Sequence, residues 1–449
     1  MRNIILSFIL ALSLAGLLAA QSSKPNIIFI MADDMGYADA GAYGGKLIQT
    51  PNIDRLAREG LRFTQVYSGH PVCAPSRNVL MTGLHTGHTV VRGNFGATGV
   101  VGIAGGKYRV PIRAEDVTVA EVLKQAGYAT GITGKWGLGE PNTDGIPNKQ
   151  GFDEWFGYLN QRRAHTYYPT FIWLNEAMFD LPGNQDGERG QYTHDLFTGF
   201  ALNFIRRHAA ETFFLYVPYT IPHAAFEVPS LGAYENKPWS PEQRAYAAMI
   251  TRMDSHIGRI LDLVAELGIA GNTVVFFTSD NGAQNRYEDV FGSAGPFREQ
   301  KGSVYEGGIR VPMIVRWPGR TPAGRTNNVT VWYFADFLPT AAAIAGAATP
   351  PNLDGVSVLP ALLGEEQKLA DRFLYWECPE QRFKRSARQG DWKAVYPGGG
   401  APMELYNLAE DAGETRNLAA EHPDVVRRFA EYFRNCRTES KEFPVKERP

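Results

Sequence analysis

Asn26-Ile27-Ile28-Phe29-Ile30-Met31 is apolar after its first residue and stops abruptly at Asp33-Asp34-Met35-Gly36. An apolar run without polar alternation is the pattern of a strand buried on both faces, as in a parallel sheet covered by helices. The pattern recurs at Thr273-Val274-Val275-Phe276-Phe277-Thr278, which runs into Ser279-Asp280-Asn281-Gly282. Phe213 to Val217 and Ala129 to Thr133 are further strand candidates, each followed by a polar or glycine-rich turn. Helical segments lie between them at Asn52 to Glu59, Val117 to Gln125, His194 to His208, Pro241 to Leu267 and Tyr333 to Ala345. Strands alternating with helices predict an α/β fold with a large mixed, mainly parallel sheet sandwiched by helices. Ligands of such sheets gather outside the carboxyl ends of the strands, so the two acidic strand ends mark the expected site.

Beyond about Pro350 the texture changes. Phe373-Leu374-Tyr375-Trp376, Trp392-Lys393-Ala394-Val395 and Glu404-Leu405-Tyr406-Asn407-Leu408 are short strand-like pieces separated by Gly and Pro, and a closing helix runs from Pro423 to Cys436. A smaller C-terminal antiparallel sheet and helix, residues 351–449, is expected to pack on a main domain of residues 21–350. The first 20 residues read differently. Met1-Arg2-Asn3, an apolar run from Ile4 to Ala20, then Gln21-Ser22-Ser23-Lys24-Pro25 have the order of a secretory signal peptide. The run is near the short limit for a spanning helix, so export to the periplasm or outside is expected, with no stable membrane anchor.

The 449 residues, 44% hydrophobic and 12% aromatic, bury a sizeable core and exclude a disordered or fibrous chain. Residues 1–20 carry one charge, Arg2, so their removal takes the formal net charge from -2 to -3. No basic block tracks a phosphate backbone, which argues against a nucleic-acid partner. Three cysteines leave one over from any single pair, and a leftover thiol in an exported protein is a candidate for modification. Cys378 and Cys436 are the pair open to oxidation, although spacing alone does not show that they approach.

Asp33 with Asp34 and Asp280 with Asn281 offer carboxylate and amide oxygens without clustered thiol or imidazole. That donor set favours calcium or magnesium over zinc, and calcium fits better in an exported protein with an irregular, ligand-rich site. Taken alone, an Asp-Asp pair after a strand is more often a turn or helix cap. His85 and His88 stand three apart, but with no third soft ligand in sight they read as structural. Arg92 and Asn94 are candidates to reach a sugar hydroxyl or carboxylate.

Cys73-Ala74-Pro75-Ser76-Arg77, continued by Asn78-Val79-Leu80-Met81-Thr82-Gly83, resembles the type I sulfatase signature C-x-P-S-R-x-x-L-x-T-G at every specified position. Thr50-Pro51-Asn52-Ile53-Asp54-Arg55-Leu56-Ala57 is similar to that family's early helix, and Gly134-Lys135-Trp136 to its second signature. Pro222-His223 stands where the family has a Pro-His pair. Lys301-Gly302-Ser303-Val304-Tyr305-Glu306-Gly307-Gly308-Ile309-Arg310-Val311-Pro312 matches its lysine-bearing turn before a late strand. On these residues the chain resembles the formylglycine-dependent sulfatases of the alkaline phosphatase superfamily.

The resemblance implies hydrolysis of a sulfate ester, on a sulfated carbohydrate or an aryl sulfate. Cys73 would be oxidised to formylglycine by a formylglycine-generating enzyme, and a hydrate oxygen of the aldehyde would attack sulfur. A calcium ion would be held by Asp33, Asp34, Asp280, Asn281 and the converted Cys73. Lys135 and Lys301 would neutralise the sulfate oxygens, Arg77 would hold the ionised hydrate, and His223 would protonate the departing alcohol. One position departs from the pattern: the second signature commonly reads Gly-Lys-Trp-His, and here Gly137 stands in the last place. The family's base near the formylglycine hydroxyl is therefore missing, and His165, in the loop Gln161 to Tyr168, is the candidate substitute. The aromatic stretch Trp155 to Trp173 favours a sugar substrate. Two rival readings remain open: a phosphate or phosphonate ester hydrolase of the same superfamily, and a non-catalytic sulfated-glycan binder in which Cys73 stays a thiol.

Overall fold

Asn26–Ala32 is a fully buried inner strand of an 11-stranded sheet. The computed structural model describes residues 24–445 apart from 104, 285–287, 368, 370 and 381, so the expected signal segment lies outside the described residues. Across the sheet the order is Arg325–Asn327, Leu61–Tyr67, Arg310–Arg316, Thr273–Ser279, Asn26–Ala32, Phe213–Pro218, Ala129–Lys135, Glu154–Tyr158, Phe171–Leu174 and Ala177–Asp180. Trp332–Tyr333 also pairs with Leu61–Tyr67. The five strands from Thr273–Ser279 to Glu154–Tyr158 are parallel. Antiparallel neighbours flank this block on both sides.

Successive side chains of a strand point to opposite faces. In Asn26–Ala32 one set, Ile27, Phe29 and Met31, enters a core covered by the helix Phe337–Ala345. Its Phe29 ring lies 4.4 Å from Phe337 and 5.6 Å from Phe276. The other set, Ile28, Ile30 and Ala32, enters a second core under the helices Thr193–Arg207 and Pro241–Glu266. Both faces are thus dry, which is why the run lacks polar alternation.

Thr50 makes no side-chain cap for the helix Pro51–Glu59. Asp254 of the long helix does so from outside, accepting from Asn52 N at 2.9 Å, Ile53 N at 2.7 Å and Asn52 Nδ2 at 2.9 Å. Asp254→Ala therefore lowers stability by about 1–2 kcal/mol, the range of a lost N-cap. A urea midpoint equal to that of the native protein would show that the bridge contributes nothing.

The C-terminal sheet is antiparallel, in the order Phe373–Cys378, Lys384–Gln389, Trp392–Tyr396, Glu404–Asn407. Tyr375, Ala387, Ala394 and Leu405 on one face pack on Val425, Phe429 and Phe433 of the helix Pro423–Asn435. Leu374, Trp376, Cys378 and Val395 on the other face join the main core. Cys378 and Cys436 consequently lie in different clusters, and both are free thiols, so the contemplated disulfide is absent.

The segment Tyr333 to Ala345 is not one helix. Asp336 accepts from Tyr333 N at 2.8 Å and Val356 N at 2.9 Å and takes both arms of Arg372, which turns the chain before the α-helix begins at Phe337. Among the described residues no helix is long and apolar enough to cross a membrane.

Candidate active site

In-register pairing of Ala32 with Ser279 delivers both acidic strand ends to one point. Asp34 N donates to Asp280 Oδ1 at 3.1 Å, and Asn281 Nδ2 donates to Asp34 Oδ1 at 2.8 Å. Extended residues would send Asp33 and Asp34 to opposite faces. Asp34 instead adopts a left-handed φ of 65°, a conformation that Asp tolerates better than most residues, and both carboxylates turn into the same cleft.

Cys73 opens the buried helix Cys73–Thr82. Its Sγ lies 3.4 Å from Asp33 Oδ1 and 4.0 Å from Asp34 Oδ1. Burial, with Asp33 next, pushes the thiol well above its ordinary range, so as a thiol it is a poor nucleophile at neutral pH. Ser76 and Arg77, three and four residues on, share its helix face. Ser76 Oγ donates to Asp280 O at 2.5 Å, and Arg77 places Nε and Nη2 on Asp280 Oδ2 at 3.1 and 2.8 Å. Nη1 of Arg77 donates to Lys135 O at 2.7 Å, tying the helix to the strand Ala129–Lys135.

Each of two lysines pairs with one of the two acids. Lys135 Nζ sits 2.5 Å from Asp33 Oδ2 with both side chains fully buried. Lys301 Nζ sits 2.6 Å from Asp34 Oδ2. Despite burial, Lys301, His223 and Lys135 hold Asp34 well below the usual carboxylate range. Burial and the neighbouring Asp33 push Asp280 up to about 6 against the pull of Arg77. Three acids thus face three fixed cations, Arg77, Lys135 and Lys301, and a divalent ion would give the cleft a net positive charge suited to an anion.

His223 follows strand Phe213–Pro218, with Nε2 3.4 Å from Asp34 Oδ2 and Nδ1 2.5 Å from Ala224 O. The carbonyl partner makes Nδ1 the protonated nitrogen and leaves Nε2 facing the site. Burial, aided by Lys301 and Lys135, lowers its pKa to about 3. His165 stacks on His223, with ring centroids 3.9 Å apart at 17°. Burial, with Lys135 and His223 adding to it, drives the His165 pKa far down, and its Nε2 has no hydrogen-bond partner among the described residues.

Donor atoms of Asp33, Asp34, Cys73 and His223 lie within 4.8 Å of one another. The fully buried Asn281 Oδ1 has no partner among the described residues. A buried amide oxygen left open beside three carboxylates fits a hard, oxygen-seeking cation.

Arg92 does not reach the cleft, because it is buried on Thr438 and beside Glu377. Asn94 Oδ1 accepts from Ala74 N at 3.2 Å and so supports the helix start. His85 and His88 stack on each other around Asp354, away from the acids. Two glutamines escaped the sequence reading. Gln284 donates to Asp34 Oδ2, and Gln161 fills the space beside Gly137. A glutamine on a loop carries no periodicity or spacing signal that marks it as part of a site.

The sequence model of the sulfatase family matches residues 25–347, and that of the N-sulphoglucosamine sulphohydrolase C-terminal region matches residues 296–438. The chain is 37% identical to N-acetylgalactosamine-6-sulfatase of Canis lupus familiaris over 82% of its own length and 71% of that protein's. It is 33% identical to arylsulfatase A of Bos taurus over 91% and 86% of the two chains. The solved structure of Ps i-CgsB in complex with k-i-k-neocarrahexaose superposes with a TM-score of 0.81 at 30% identity, covering 91% of this chain and 93% of the other. A family model over most of the chain, relatives aligned along nearly all of it and this shared fold converge: the chain belongs to the sulfatase family of the alkaline phosphatase superfamily and is a sulfuric ester hydrolase.

Proposed function

We propose that this sulfatase removes sulfate from a sulfated carbohydrate, with Cys73 converted to formylglycine and a calcium ion held by Asp33, Asp34, Asp280, Asn281 and residue 73. The observation that carries it is the cleft itself: the helix start at Cys73 faces three carboxylates, three fixed cations and the open Asn281 Oδ1. Carbohydrate is favoured because the canine relative is named for an amino sugar and Ps i-CgsB was solved with an oligosaccharide. The proposal includes export after loss of residues 1–20, and a catalytic domain at 21–350 carrying 351–449 as a packed subdomain.

When bound, the cation would supply positive charge to the sulfate oxygens, and the hydrated aldehyde would supply the attacking oxygen. Lys135 and Lys301, already aimed at Asp33 and Asp34, neutralise the same sulfate oxygens. Arg77 has its fork on Asp280 and the Lys135 carbonyl, so it fixes the geometry of acid, lysine and helix start together. His223 presents Nε2 to the cleft, and an incoming sulfate anion favours its protonated form, which then gives that proton to the leaving alcohol oxygen.

Mass spectrometry of the peptide containing residue 73, from a host that converts a control sulfatase, tests the nucleophile. A thiol in that peptide would remove it. Chelation is expected to abolish turnover of an aryl sulfate and calcium to restore it. Full activity after exhaustive chelation would refute the metal assignment.

A further inference from the structure

Gly137 has a left-handed φ of 81°, and a Cβ built on it would lie 2.5 Å from Gln161 Oε1 and 3.9 Å from Ala74 Cβ. A side chain at 137 is therefore strained by the backbone conformation and would push the Gln161 amide aside. The segment that brings Gln161 there extends the parallel pairing of Lys135 with Tyr158. Trp136 N donates to Tyr158 O at 3.0 Å, and Gly137 N donates to Leu159 O at 3.2 Å. Gln161 is 3% exposed, and its Oε1 has no hydrogen-bond partner among the described residues. A buried acceptor without a donor is uncommon in a native protein and marks a place where one is to arrive. Here that place adjoins Gly137, whose Cβ direction points toward Ala74, the residue after Cys73, and at which most family members are expected to direct a histidine toward the hydrated aldehyde.

We infer that Gln161 replaces that histidine, its Oε1 accepting a hydrogen bond from the hydroxyl of hydrated residue 73 that loses its proton when the aldehyde re-forms. The inference rests on the formylglycine reading above. His165, whose Nε2 also lacks a partner among the described residues, is the weaker candidate because its ring stacks on His223, the residue assigned to the leaving alcohol. In the step concerned, the hydroxyl proton passes from its hydrogen bond with Gln161 Oε1 to water, and the electron pair of the broken O–H bond closes the C=O bond. The C–O bond to sulfate breaks with its electron pair leaving on sulfate, and nothing is oxidised or reduced. A neutral amide oxygen does not take the proton. It fixes the direction of the O–H bond, so Gln161 is a positioning residue where the imidazole would be a base.

The test uses the full-length converted enzyme and two variants, Gln161→Leu, which removes the acceptor, and Gly137→Ala, which displaces it without removing it. Thermal melts establish that each is folded. Both are expected to lower kcat by about 10- to 100-fold and KM along with it, kcat/KM being kept because the first half-reaction is untouched. In acid-quenched turnover mixtures, the residue-73 peptide is expected to carry sulfate in a larger fraction than in the native enzyme. A Gln161→Leu enzyme with native kcat and a native sulfate-bearing fraction would overturn the inference. So would a loss of activity with no rise in that fraction, which assigns Gln161 to packing alone. A native enzyme whose peptide is still a thiol would instead refute the nucleophile reading, and this inference with it.

Discussion

Lys135→Met lowers kcat/KM for a sulfate ester by about 10²–10³-fold, the scale set by loss of one pre-aimed charge from a dry site. Lys135 ends a strand whose burial leaves the ammonium no water, and its partner, Asp33 Oδ2, is 2.5 Å away. When sulfate enters, that same charge faces an anion whose negative charge grows on the departing oxygen. The substitution also leaves Asp33 with Arg77, at 3.7 Å, as its remaining ion-pair partner among the described residues. Stability therefore falls too, and removal of one partner of a buried pair costs about 3–5 kcal/mol when nothing replaces it. Calcium at the acids would offset part of that loss, so the melting temperature of the variant should depend on calcium more steeply than that of the native enzyme. Steady-state kinetics on an aryl sulfate, at a temperature where both proteins are folded, separates the two effects. A drop in kcat/KM smaller than tenfold would reduce Lys135 to a counter-ion of Asp33.

What the sequence discloses is set by how local the physics is. Asn26–Ala32 was legible because burial on both faces removes alternation, and the step from Met31 and Ala32 to Asp33 needs no partner to be noticed. Lys384–Gln389 was not, because its pattern is charged while its arginines are buried by distant contacts. Arg385 covers Phe433 at 4.5 Å and Arg388 donates to Gln65 at 2.6 Å. Leu61–Tyr67 carries no clear strand signal because residues 62, 64 and 65 are half-buried, and the strand acquires its place by pairing with Arg310–Arg316, some 250 residues on. Within the cleft, acids, lysines and Cys73 stand in motifs, whereas Gln161 and Gln284 act through loop placement. Gly137 was readable as a departure. What compensates for it required the pairing of two strand ends.

Lys393→Met is the substitution outside the cleft with the largest expected effect, a loss of about 3–5 kcal/mol in stability from breaking a buried ion pair. Lys393 lies on the C-terminal strand Trp392–Tyr396, fully buried, with Nζ 2.9 Å from Glu306 Oε1 and 2.8 Å from Glu414 Oε1. Glu306 opens the turn Glu306–Ile309, five residues after Lys301, so the C-terminal sheet holds the chain that aims the sulfate-binding lysine. The variant is accordingly expected to lose activity as well, although Lys393 touches nothing in the cleft. The two glutamates are not equivalent. Against its burial, Lys393, Arg310 and Arg388 together hold Glu306 down to about 2. Glu414 is pushed up to about 7, because its burial and the charge of Glu306 outweigh Lys393. The signs follow from proton linkage. Glu306 stabilises the fold above its ordinary value of 4.5, and that contribution is lost as pH falls toward 2. Glu414 binds its proton more tightly in the folded chain, so its contribution falls as pH rises from 4.5 to 7. Glu414→Gln, which mimics the protonated acid, should therefore gain on the native protein between pH 5 and pH 8 when urea midpoints are compared. Glu306→Gln should be strongly destabilised at both. If Glu414→Gln instead loses more at pH 8 than at pH 5, the carboxylate is ionised against Lys393, and the lysine then serves both acids as a charge rather than mainly Glu306.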